Sequence, residues 1–141
     1  MNEILQEKLQ ERLDNIQSLY NEWHWVIKPI QNKDHFLSDL KNQKLIYFQS
    51  FLISEEIRMI ANEIYPPIKE KYPNIEWRAF TRIRNRIAHH YPTLRDKEMF
   101  GFVKNHILPL EKESYLILEN TFNRNREKIR SILKRLDKRF Y

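Results

Sequence analysis

A single glycine, Gly101, serves all 141 residues of this chain. The tight turns of β-rich proteins draw on glycine for positive φ, so such a fold is a poor match for this composition. Helix connections manage with Asn, Asp and Pro, and the apolar spacing points the same way. Between Glu3 and about Ile27 the residues Ile4, Leu5, Leu9, Leu13, Ile16, Leu19, Tyr20, Trp23 and Val26 follow steps of three and four, one face of a helix that Pro29 ends. Gln31 to about Asp39 reads as a connection. A second helix spans about Leu40 to Tyr65, stopped by Pro66-Pro67, and its apolar residues cover much of the circumference, as in a central helix. After a short turn at Ile68–Lys71, a third runs from about Glu76, with Asn74 as N-cap, to the pair His89-His90. Tyr91-Pro92 ends it because the residue before proline avoids the helical region. The fourth starts near Arg95 and extends to about Leu136, kinked or broken at Pro109. The expected fold is all-α, an antiparallel four-helix bundle with a long kinked C-terminal helix. It divides into a bundle domain over 1–120 and a basic helical extension over 121–141.

Hydrophobic residues (41%) suffice for one core, and the low mean hydropathy of -0.73 comes from long charged side chains. Without cysteine the chain has no disulfide, thiolate metal site or cysteine nucleophile. No His-Glu-x-x-His, paired-carboxylate or phosphate-loop motif occurs, and His24, His35 and His106 are scattered, so neither metal nor cofactor is expected. The N-terminus lacks an apolar leader and no stretch approaches the ~20 apolar residues that span a bilayer. The expectation is a soluble cytoplasmic protein with no membrane partner. The formal charge of +6 is concentrated at the C-terminus, where Thr121–Tyr141 holds eight basic and two acidic residues; the remainder carries 17 of each sign. Such a segment either attracts RNA or forms a solvated helix end that favours the macrodipole.

The third helix is dense in polar groups: Arg78, Arg82, Arg84, Asn85, Arg86, His89 and His90. Arg82, Asn85, Arg86 and His89 share one face. Arg84 lies instead on the row of Trp77, Phe80, Ile87 and Tyr91. An arginine there needs an anionic neighbour. Glu55, which interrupts the apolar row Leu45, Phe48, Leu52, Met59 of the second helix, is a candidate. The bland alternative is a set of cations favouring a helix C-terminus. Trp23 and Trp25 read as core or dimer packing ahead of base stacking.

The string Arg84-Asn85-Arg86-Ile87-Ala88-His89-His90-Tyr91 resembles the Arg-x4-His-x-Tyr motif of the HepT-like toxins of the HEPN superfamily. The lead-in Tyr72-Pro73-Asn74-Ile75-Glu76-Trp77-Arg78-Ala79-Phe80 and the following Phe102-Val103-Lys104-Asn105-His106-Ile107-Leu108-Pro109-Leu110 are similar to that family's flanking segments. Ile53-Ser54-Glu55-Glu56 resembles its acidic signature in the second helix, with Ser54 where the family usually has Gly. The resemblance covers roughly Ile4 to Leu118.

The resemblance implies a HEPN-type bundle and the toxin component of a type II or type VII-like HEPN/MNT toxin–antitoxin system. It further implies a dimeric, metal-independent endoribonuclease with its site at the dimer cleft, leaving a 2′,3′-cyclic phosphate and sparing DNA. Arg84 would hold the scissile phosphate and His89 would transfer the proton, chemistry suited to a planar donor fork and an imidazole. Asn85 would support them, with Arg82, Arg86 and His90 as candidates for RNA contact. Tyr91 would be the residue adenylylated by an MNT-type nucleotidyltransferase partner. The alternative is a non-catalytic HEPN module that binds nucleotide, RNA or protein. One obstacle is geometric: Arg84 and His89 stand about 140° apart around a regular helix. Convergence needs a helix that loosens before His89 or two subunits contributing together, and both are expected, because Tyr91-Pro92 already forces an ending there.

Overall fold

The computed structural model describes residues 2–26, 34, 38–89, 93–122, 131, 134 and 135. Its elements are α1 (Glu3–Val26), α2 (Leu40–Met59), α3 (Ile68–Lys71), α4 (Trp77–His89), α5 (Asp96–Phe102) and α6 (Leu108–Phe122). Two five-residue π turns, Ile60–Ile64 and Val103–Ile107, extend α2 and join α5 to α6. No strand occurs among the described residues, and the fold is all-α.

Local sequence accounts for most boundaries. Asp39 caps α2 by accepting the Asn42 N–H at 3.0 Å. The π turn that follows closes with the Tyr65 N–H on the Ile60 carbonyl, and Pro66-Pro67 then stops the helix. Helix α4 begins at Trp77, so Asn74 is not its N-cap; the first turn is closed through the Glu76 carbonyl, which accepts the Ala79 N–H. Pro109 lacks an N–H for the Asn105 carbonyl and its ring crowds that group. The wider π turn, closed by the Leu108 N–H on the Val103 carbonyl, absorbs the misfit, and the helix runs on through Pro109 to Phe122. The connection read at Gln31–Asp39 lies mostly outside the described residues. So does the basic extension, apart from Ser131, Lys134 and Arg135, which are exposed.

The core forms where the periodic faces meet. Leu9, Leu13, Ile16, Tyr20 and Trp23 of α1 pack with Ile46, Ile53 and Ile57 of α2, Phe80 and Ile83 of α4, and Met99, Phe102 and Ile107 of α5 and the π turn that follows it. Trp23 is therefore a core residue; the Trp25 side chain lies outside the described set. Helix α2 packs on both α1 and α4 and is the central helix. Arg12 meets Glu56 while Gln49 donates to Glu22, so α1 and α2 run antiparallel. Trp77 at the start of α4 shares a groove with Ala61 and Asn62 just past the end of α2, whereas Arg84 later in α4 meets Glu55, so α4 runs against α2. At the other side, Tyr20 donates to the Ile107 carbonyl and His24 pairs with the buried Glu111 at 2.8 Å, tying α1 to α6.

The row Leu45, Phe48, Leu52, Met59 is not buried as a core face would be. Phe48 is 58% exposed and Leu40 63%, while Leu45, Leu52 and Met59 are half-buried. Among the described residues no helix is long and apolar enough to cross a membrane.

Candidate active site

Arg84 projects from α4 toward α2. Its Nε donates to Glu55 Oε2 at 2.6 Å, and its guanidinium carbon sits 5.6 Å from the centre of the Phe51 ring. Glu55 is shared: Arg58, one turn further along α2, donates through Nη2 to Oε1 at 2.7 Å and through Nε to Oε2 at 3.1 Å. Arg58 first, and Arg84 after it, hold the Glu55 carboxyl below its ordinary range against the opposing pull of burial. A carboxylate so firmly ionised and doubly engaged is an anchor, not a proton acceptor for chemistry. The acid on the apolar row is thus the partner of Arg84, as its position suggests. Arg58 adds a second cation, signalled in the sequence only by its i,i+3 spacing from Glu55.

The rest of the Arg84 fork is directed elsewhere. Nη1 donates to Asn85 Oδ1 at 3.2 Å, and Nη2 makes no hydrogen bond among the described residues. Arg58 also pairs with Glu63 at 3.2 Å, so two guanidiniums are matched by two carboxylates, and Nη2 of Arg84 is left as an unfilled donor among the described residues.

His89 is the last residue of α4, exposed and without a hydrogen bond among the described residues. The helix is regular through His89, so the loosening expected ahead of it does not occur. Arg84 faces α2 and His89 is turned away by about 140°. A single chain does not bring the pair together. Asn85 is exposed and adjoins Arg84. Arg82 is exposed and unpaired among the described residues, whereas Arg86 ion-pairs with Glu98 and donates to the Thr93 carbonyl at 3.1 Å. Arg86 therefore fastens the end of α4 to the start of α5. Spacing alone did not reveal this, because the partner arrives from a later element. His90 and Tyr91 lie outside the described residues. No group of His, Asp and Glu able to hold a metal occurs among the described residues.

The sequence profile of the family described as Ribonuclease HepT-like matches residues 5–117, spanning every element from α1 to α6 and the Arg84–His89 pair. The chain belongs to that family. A protein of Methanocaldococcus jannaschii named "Putative RNase MJ0127" is 27% identical over 74 residues, which cover 52% of this HepT-like chain and 58% of that protein. The match thus takes in little more than half of the relative's length. No solved structure matches the chain.

Proposed function

We propose that this HepT-like chain is a metal-independent endoribonuclease, the toxin of a HEPN/MNT toxin–antitoxin pair, acting through Arg84 and His89. The observation that carries the reading is the posture of Arg84: anchored through Nε and the Phe51 ring, it keeps Nη2 unfilled among the described residues, on the same helix that presents an exposed His89. A guanidinium held in this way suits a phosphate whose charge grows in the transition state. In the reaction one imidazole takes the proton of an RNA 2′-hydroxyl, whose oxygen bonds to phosphorus. The bond from phosphorus to the 5′-oxygen breaks and that oxygen gains a proton, leaving a 2′,3′-cyclic phosphate. DNA lacks the attacking group.

One chain separates Arg84 from His89, so the working site needs a second copy. The exposed Phe48 and Leu40 and the half-buried Leu45, Phe51 and Leu52 leave an apolar surface on α2 beside Arg84. A partner seated there completes the cleft. Adenylylation of Tyr91 by an MNT-type nucleotidyltransferase would add a bulky negative group next to His89 and turn RNA away.

Cleavage of RNA in chelator by wild type, but not by His89→Ala or Arg84→Ala, is the expected result, with cyclic phosphate ends and intact DNA. Equal cleavage by all three, or none by wild type, would sink the catalytic assignment; RNA binding without cleavage would select the non-catalytic alternative. Phe48→Glu should give a monomer by light scattering and lose cleavage. Incubation with the nucleotidyltransferase and ATP should add AMP to wild type and not to Tyr91→Phe, read by mass spectrometry.

A further inference from the structure

An open groove of about 780 Å³ runs beside α4, between its outward face, the π turn Ile60–Ile64 and α3. Its polar lining is Asn62, Lys69, Arg78, Thr81, Arg82 and Asn85, with no acidic side chain among the lining residues. Arg78 and Arg82 are exposed and make no ion pair or hydrogen bond among the described residues. Arg12, Arg58, Arg84 and Arg86 by contrast each meet a carboxylate. Two cations one helical turn apart repel each other, a cost that a bound anion removes.

The groove also leads somewhere. Residues 78, 82, 85 and 89 follow steps of four, three and four, so His89 lies on the same face, about 16 Å along the axis from Arg78. Asn85 stands between the two regions: it lines the groove and accepts from Arg84 through Oδ1. A ligand lying along Arg78 and Arg82 therefore arrives at Asn85 and His89. An open, basic trough that follows about two turns of α4 and offers neutral hydrogen-bonding groups suits an extended polyanion better than a single nucleotide. Asn62 and Thr81 suit hydroxyls and base edges beside a backbone.

We infer that this groove is a strand-binding subsite that holds the sugar-phosphate backbone of single-stranded RNA on one side of the cleaved bond through Arg78, Arg82 and Lys69. The inference rests on the ribonuclease reading but is tested by binding. The probe is a fluorescein-labelled 12-nucleotide single-stranded RNA, titrated by anisotropy at several salt concentrations into uncleaving His89→Ala protein. Adding Arg78→Ala and Arg82→Ala should weaken binding about tenfold at ~0.1 M salt and flatten the slope of log affinity against log salt by about 1.4. Arg78→Lys with Arg82→Lys should keep the slope. Lys41→Ala with Lys44→Ala, exposed at the opposite end of α2, should change little. Unchanged affinity and slope in the double alanine variant, its helical circular dichroism intact, would overturn the subsite. So would an equal loss in the Lys41/Lys44 pair, which marks general charge attraction. Wild type that binds with the groove-dependent slope yet cleaves nothing would remove the ribonuclease reading and leave the groove. Wild type that cleaves RNA while the arginine pair proves dispensable would do the reverse.

Discussion

The two sides of α4 carry the same residue types and treat them in opposite ways. On the side facing α2, Arg84 is held by Glu55 and Phe51, and Glu55 is itself held by Arg58. On the outward side, Arg78 and Arg82 meet no protein partner among the described residues, and Asn85 and His89 are exposed. An anchored guanidinium loses little orientation when a phosphate arrives, so it can be aimed at one reacting group. A free one is spent on attraction wherever the backbone passes. Under the proposed ribonuclease reading, one thirteen-residue helix would separate placement from affinity.

The largest expected effect tests that separation directly. Arg84→Ala should lower kcat by about 10²–10³, the scale for losing a preorganised donor to a developing charge. Glu55 keeps Arg58 in that variant, so the fold should survive. Arg82→Ala should instead act mainly on KM. Steady-state kinetics that show the same split for both arginines would break the comparison.

Next is Glu55→Gln, which weakens the anchor but leaves Arg84 present. A loss in kcat of about tenfold with unchanged RNA affinity is expected, since only positioning is affected. The same variant has a pH signature. The folded pKa of Glu55 lies below its unfolded value, so its stabilisation is present above the ordinary carboxylate range and is lost as pH falls through the folded value. Urea midpoints measured from pH 6 to pH 3 should fall less steeply for Glu55→Gln than for wild type.

A smaller effect reports the field of the free side. His106 stacks near Phe80 and Phe102, with ring centres 6.2 and 5.4 Å away. Burial holds its imidazole below the ordinary value; Glu76 opposes this and Arg82 adds to it. The unfolded chain takes up the proton at ~6.5 and the folded chain only at lower pH, so this group's contribution is complete above ~6.5 and declines as pH falls below it. Arg82→Ala should raise the His106 pKa in an NMR titration, and Glu55→Gln should leave it in place.

The smallest concerns the helix that supports the anchor. Ser54 is fully buried next to Glu55, and its Oγ has no hydrogen-bond partner among the described residues. Ser54→Ala should raise stability by up to about 1 kcal/mol by removing an unsatisfied hydroxyl. A loss of stability in thermal unfolding would mean that the hydroxyl is satisfied in solution.

Much of this was legible before any coordinates. The step-of-three-and-four pattern from Ile4 to Val26 depends only on helix geometry; it marked the buried residues Leu9, Leu13, Ile16, Tyr20 and Trp23 of α1, whereas Ile4 on the same row is 67% exposed. Glu55 and Arg84 stood out because a charge on an apolar row requires a partner. Arg86 shows the limit: it shares a face with Asn85 and His89, yet Glu98 and the Thr93 carbonyl claim it. Periodicity also marked the Phe48 row as an apolar face but left open what covers it, because it reports which residues are apolar and not which neighbour meets them. Asn74 looked like a cap, but the helix starts three residues later at Trp77.

The sequence by itself determined an all-helical chain, its main breaks and the resemblance to the HepT-like family, all properties of residue type and local spacing. Only the tertiary structure decided which arginines are anchored and which are free, because that depends on carboxylates supplied by other helices. It also decided that α4 stays regular through His89, leaving Arg84 and His89 apart within one chain. Hydrogen-bond partners distant in sequence have no local signature, and there the reading of sequence alone stops.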